Sequence, residues 1–196
     1  MCLTLKRNAT IQTAETDIVV YKMLERPYKD STDDYIEHLN VSNRRYGEHE
    51  ISRDTLMSPF QGMIYSLNEK YITMLQKDPE FECVGDSPCY SIFNTEYVYG
   101  DNTIMVVEHG FHTFTEFQPA KYLADDWAIS YSVVVECVIP AGTQYYDGVW
   151  VSEGDTLVRS LASERLEVRG IVYESKHSRT LPVEEPKYDD QVGIVK

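Results

Sequence analysis

Ser132-Val133-Val134-Val135-Glu136-Cys137-Val138-Ile139-Pro140 is the stretch on which the reading of the fold turns. A β-branched run this dense, closed by Pro140-Ala141-Gly142, predicts a strand in mid-sheet with both faces covered. Val134 or Val138 is then expected to be almost fully buried. Upstream, residues 106–114 read as a further strand, and Gly110 marks a bend or a close backbone approach within it. Thr115 can cap a helix over residues 116–127, with Phe117, Ala120, Tyr122, Leu123 and Trp127 available to its inner side. Pro119 is tolerated there because it falls in the first turn. Downstream, residues 144–148 predict a turn, Val149-Trp150-Val151 a short continuation, and residues 166–173 a closing strand.

The first half of the chain is less regular. Asp17-Ile18-Val19-Val20-Tyr21-Lys22-Met23-Leu24 is a strand that Pro27 ends. Residues 28–56 read as a surface insertion carrying a short helix near 33–39, and residues 77–90 as loop. Between them, Ser58-Pro59-Phe60-Gln61-Gly62 is a turn followed by a short strand at 63–67. Residues 91–99 alternate loosely and are expected to form a hairpin with the next strand. The tail, 176–196, is acidic and expected to be mobile. Together these pieces predict one α+β domain over residues 1–175, with a central mostly antiparallel or mixed sheet and few short helices.

Composition narrows the function classes. The 196 residues are 42% hydrophobic, enough to bury a single core. The formal net charge is −14, which repels the phosphates of nucleic acids and anionic membranes and permits a basic protein partner. Fifteen tyrosines suit contact surfaces. No run approaches the ~18 apolar residues of a membrane span, and the N-terminal residues lack the apolar region of a secretory signal. A cytoplasmic protein is expected, with Cys2, Cys83, Cys89 and Cys137 reduced. No Cys-x-x-Cys pair occurs, and no metal or other cofactor is expected.

Few residues stand out chemically. His109 and His112, beside Glu108, would share a face on a helix, but on a strand residues three apart point to opposite faces. One buried and one exposed imidazole is the plainer expectation. Glu164 stands at the entrance of the closing strand, where it can face a cleft or, more simply, pair with Arg165 or Arg169 in solvent. Lys22, inside an apolar strand, either faces solvent, the default, or binds an anion in a cleft. Ser58 opens a turn and could donate a hydroxyl. There is no nucleophile elbow, phosphate loop, dinucleotide fingerprint or zinc-protease motif.

Two pieces, Gly110-Phe111-His112-Thr113-Phe114 and Val133-Val134-Val135-Glu136-Cys137-Val138-Ile139-Pro140-Ala141-Gly142, resemble a pattern in small uncharacterised proteins of bacteriophages and bacteria. More distantly, the chain is similar to the ADP-ribosyltransferase fold. That likeness implies a nucleotide-binding role for Lys22, Ser58 and His112, a catalytic role for Glu164, and NAD as the ligand. Lys22 stands where that fold usually has arginine or histidine. No Ser-Thr-Ser triplet occurs and no Glu-x-Glu pair stands at Glu164. The leading expectation is therefore a phage-related interaction protein acting on a host or phage protein. A nucleotide-binding domain, active or degenerate, and a virion structural protein are the alternatives.

Overall fold

The described residues of this computed structural model (3–26, 55–59, 61, 63–83, 96–98, 103–126, 131–151 and 156–175) form thirteen strands and one helix. In chain order these are β1 (Leu3–Leu5), β2 (Gln12–Thr13), β3 (Ile18–Arg26), β4 (Leu56–Met57), β5 (Ile64–Tyr65), β6 (Lys70–Ile72) and β7 (Glu80–Cys83). They continue as β8 (Thr103–Val107), β9 (Phe111–Phe114), α1 (Phe117–Asp126), β10 (Tyr131–Ile139), β11 (Gln144–Val151), β12 (Leu157–Ser163) and β13 (Arg165–Glu174). The architecture is one antiparallel sheet, ordered β6-β13-β10-β3-β9-β12-β11-β1-β8-β7. This corrects the expected α+β class: the protein is mostly β, and the described residues hold a single helix.

β10 occupies the middle of that sheet for the reason its sequence suggests. It pairs along nine residues with β3 and on its other side with β13. Val133, Val135, Cys137 and Ile139 enter the main core, and Val134 faces the opposite way, against Met23 of β3 and Ala120, Leu123 and Ala124 of α1. Val134 and Val138 are both buried. The β10–β13 ladder shifts register twice, between Val134 and Val135 and between Glu136 and Cys137. Such bulges bend a strand and increase its twist.

The sheet is pinched between β3 and β9, which meet only at Tyr21 and Phe114. One half contains β6, β13, β10 and β3; the other contains β9, β12, β11, β1, β8 and β7. β12 and β13 are almost continuous in sequence, yet β12 pairs with β9 and β11 while β13 pairs with β10 and β6. The chain therefore passes from one half to the other at Glu164. The main core lies between the halves: Val20, Leu24, Val135 and Val168 come from one, and Phe111 and Leu161 from the other. The segment between β6 and β7 crosses this second joint, with Thr73 N donating to Glu164 O and Leu75 buried beside Gly110. Gly110 has φ +132°, and a Cβ there would stand 3.0 Å from Leu75 Cδ1, so only glycine fits the bend.

Several boundaries differ from the sequence reading. Residues 80–83, expected in a loop, form β7 against β8. Residues 144–148, expected to turn, are part of β11, paired with β12 on one side and β2 on the other. The helix buries Ala120, Leu123 and Ala124, whereas Tyr122 is 56% exposed. The helix near 33–39, most of the insertion at 28–56, most of the hairpin from 91–99, Trp127 and the tail at 176–196 lie outside the described residues; the described residues 96–98 are not in a strand.

Candidate functional site

β3 presents Val20, Lys22 and Leu24 to the same side, because side chains two apart on a strand share a face. That side is the main core, so Lys22 is buried, with 4% of its surface exposed, rather than facing solvent as the default expected. Its ammonium lies where β3 and β9 part company. There Nζ donates to the main-chain oxygen of His112 at 2.8 Å and to Gln61 Oε1 at 3.1 Å. It also lies 5.7 Å from the centroid of the Tyr65 ring, within cation–π range. Gln61 completes the link, since its Nε2 donates to the oxygen of Gly110. Two side chains thus supply donors to the carbonyls of His112 in β9 and of Gly110 just before it.

Burial lowers the Lys22 ammonium to about 8, because a charge removed from water is disfavoured. The same burial pushes the Cys137 thiol up to about 12 and raises the Tyr65 phenol, so both remain neutral. The Lys22 charge is therefore held by dipoles and a ring face, with no carboxylate of the described residues ion-paired to it. Ser58 contributes by shaping the turn: its N–H donates to Met63 O, and its Oγ accepts from Gln61 N at 3.3 Å. His112 is buried in β9 and takes part through its carbonyl; His109 is exposed in the bend before it.

Three of the four residues singled out from the sequence therefore converge. Lys22 and His112 bond directly, and Ser58 reaches them through Gln61. Glu164 stands apart, and neither a hydrogen bond nor an ion pair joins it to Lys22. Its Oε1 accepts from Gln144 N at 3.2 Å and lies 3.8 Å from Arg165 Nε. Its main chain exchanges bonds with Gln144 and Thr73. A carboxylate so placed fixes the crossing from β12 to β13. Gln61 is the member the sequence reading missed, and a glutamine in a Ser-Pro turn carries no signal of its burial partner.

A wide concavity lies elsewhere. A groove of about 890 Å³ opens where the chain between β1 and β2 arches away from β11. It holds Lys6, Arg7 and Arg159, an unusual concentration of cations in so acidic a chain. The cations are engaged: Lys6 pairs with Glu96 at 2.9 Å, and Arg159 with Asp147 at 2.6 Å. A second, smaller groove separates α1 from β11 and β12. Among the described residues no cluster of three or more His, Cys, Asp or Glu side chains could hold a metal ion. No described helix is long and apolar enough to cross a membrane. No family model matches the chain, and comparison with curated proteins and with solved structures returns no match.

Proposed function

We propose that this protein is a binding protein that engages a basic segment of a protein partner through its acidic surface. The observation that carries the reading is β7, where Glu80, Phe81, Glu82 and Cys83 are all exposed and Phe81 is 61% so. Two carboxylates alternating with a large apolar side chain suit a strand-like partner that alternates lysine with apolar residues. The net charge of −14 steers such a partner inward and repels nucleic acid. A cytoplasmic setting fits the same reading, because Cys83 is an exposed free thiol.

The test is fluorescence anisotropy with a labelled peptide of alternating lysine and valine. Affinity should fall steeply between low and physiological salt, and should drop about tenfold or more in the double variant Glu80→Lys/Glu82→Lys. Binding indifferent to salt and to that charge reversal would refute the reading. A second reading, a nucleotide-binding domain of the ADP-ribosyltransferase type, draws support from a buried lysine between two half-sheets. Calorimetric titration with NAD tests it, and a wild type that gives no binding heat and consumes no NAD would retire it.

A further inference from the structure

We infer that the groove between α1 and the β11–β12 pair docks a proline-containing segment of the partner, flanked by lysine or arginine. The inference rests on the reading of this protein as a binder of basic partners and names the surface and the peptide chemistry. The groove, of about 560 Å³, is walled by Pro119 and Tyr122 of α1 and floored by Trp150 and Val158. Trp150 and Val158 are cross-strand partners, so their side chains stand next to one another on one face of the sheet. Phe114 meets the Trp150 ring edge to face at 5.4 Å, which holds the indole in place before anything binds.

The helix has an aromatic to spare. Ala120, Leu123 and Ala124 satisfy its buried stripe, and Tyr122 is left 56% exposed over the groove. Pro119 and Tyr122 are three residues apart and share a side of the helix. Rings spaced across an apolar trough suit the flat faces of proline, and an extended polyproline segment arrives preformed, so little ordering entropy opposes docking. Its carbonyls need donors, which Gln118, Tyr122 and Trp150 can offer. Charge completes the match. Glu116 stands exposed at the rim of a protein with net charge −14, so a cationic flank is favoured over a neutral or acidic one.

The experiment is fluorescence anisotropy with a fluorescein-labelled peptide Arg-Pro-Leu-Pro-Pro-Leu-Pro-Arg. A version flanked by glutamate serves as the charge control and maltohexaose as a neutral competitor. Saturable binding below about 1 mM is expected, weaker at higher salt, weaker with the acidic flank and untouched by the saccharide. Tyr122→Ala should weaken it about fivefold or more, as loss of an aromatic anchor does. Glu116→Lys should weaken it and flatten its salt dependence, with unchanged thermal melting of both variants. Absence of saturation, binding unaltered in Tyr122→Ala, equal affinity for the acidic-flank peptide, or displacement by maltohexaose would each overturn the inference. The Glu80→Lys/Glu82→Lys variant separates this from the broader reading. Peptide binding lost there but kept in Tyr122→Ala leaves the basic-partner reading standing and removes the groove.

Discussion

Replacing Lys22 by methionine tests whether the cation at the pinch of the sheet is as buried as its contacts imply. Burial takes the Lys22 pKa from 10.5 to about 8. Each unit is worth about 1.4 kcal/mol, so holding the charge inside the fold costs on the order of 3 kcal/mol at neutral pH. The folded pKa is the lower one, so between pH 8 and 10.5 the unfolded chain binds more protons than the native one. Stability contributed by this group must therefore rise with pH across that window. Between pH 7 and pH 9 the gain amounts to about 1.3 kcal/mol, and Lys22→Met should lack it. At pH 7 the variant loses two hydrogen bonds to Gln61 and His112 but also the desolvation cost, so its stability should stay within about 1 kcal/mol of wild type. Urea denaturation of both proteins at the two pH values, below the range where tyrosines ionise, measures the difference of slopes directly. Parallel behaviour of the two proteins would show that Lys22 keeps an ordinary pKa, and the buried placement would be wrong.

Two further outcomes follow from packing and burial. Gly148 lies so close under β1 that a Cβ would stand 2.4 Å from Thr4 O, so Gly148→Ala should destabilise the protein by about 1–3 kcal/mol, read as a lowered denaturation midpoint. A variant as stable as wild type would show that β1 is not seated on β11. In native protein a thiol reagent followed by peptide mapping should label the exposed Cys83 and spare Cys137, whose thiol is buried and pushed up to about 12. Rapid labelling of Cys137 without denaturant would contradict the position of β10.

How legible the fold was depended on whether an element's reason was local. The central strand was readable because valines on both phases demand cover on both faces, and it has that cover from the core on one side and α1 on the other. β7 was not, since Glu80 and Glu82 carry no strand propensity and are held by pairing with Ile104 and Val106, more than twenty residues on. The turn expected at residues 144–148 failed for the same reason: Tyr145 is paired on both sides, to Gln12 and to Ser163. Short strands made by distant partners accumulate into a mostly β protein that propensity alone divides into strands and loops. The burial of Lys22 was likewise illegible. Its two hydrogen-bond partners lie thirty-nine and ninety positions away, and a lysine among valines reads as outward-facing until the opposite half of the sheet is known.

The two charged residues that the sequence singled out occupy the two joints of the sheet, and the physics of a joint accounts for both. Where β3 leaves β9 after a single pair, Lys22 Nζ meets the buried His112 carbonyl, and Gln61 Nε2 meets the Gly110 carbonyl just before β9. A lysine brings three donors on a long apolar stem, and its lowered pKa expresses what the buried charge costs. Where β12 passes into β13, the chain must leave one set of partners and take up another within a residue. Glu164 holds that corner with its main chain bonded to Gln144 and Thr73 and its carboxylate bonded to Gln144 N. A sheet divided into two halves over one core needs polar side chains at its joints, because that is where backbone groups fall out of the ladder. Isolated charges in strand-like sequence therefore point to such joints as readily as to a reactive centre. At both joints the charged group reaches the protein's own backbone, Lys22 Nζ at His112 O and the Glu164 carboxylate at Gln144 N.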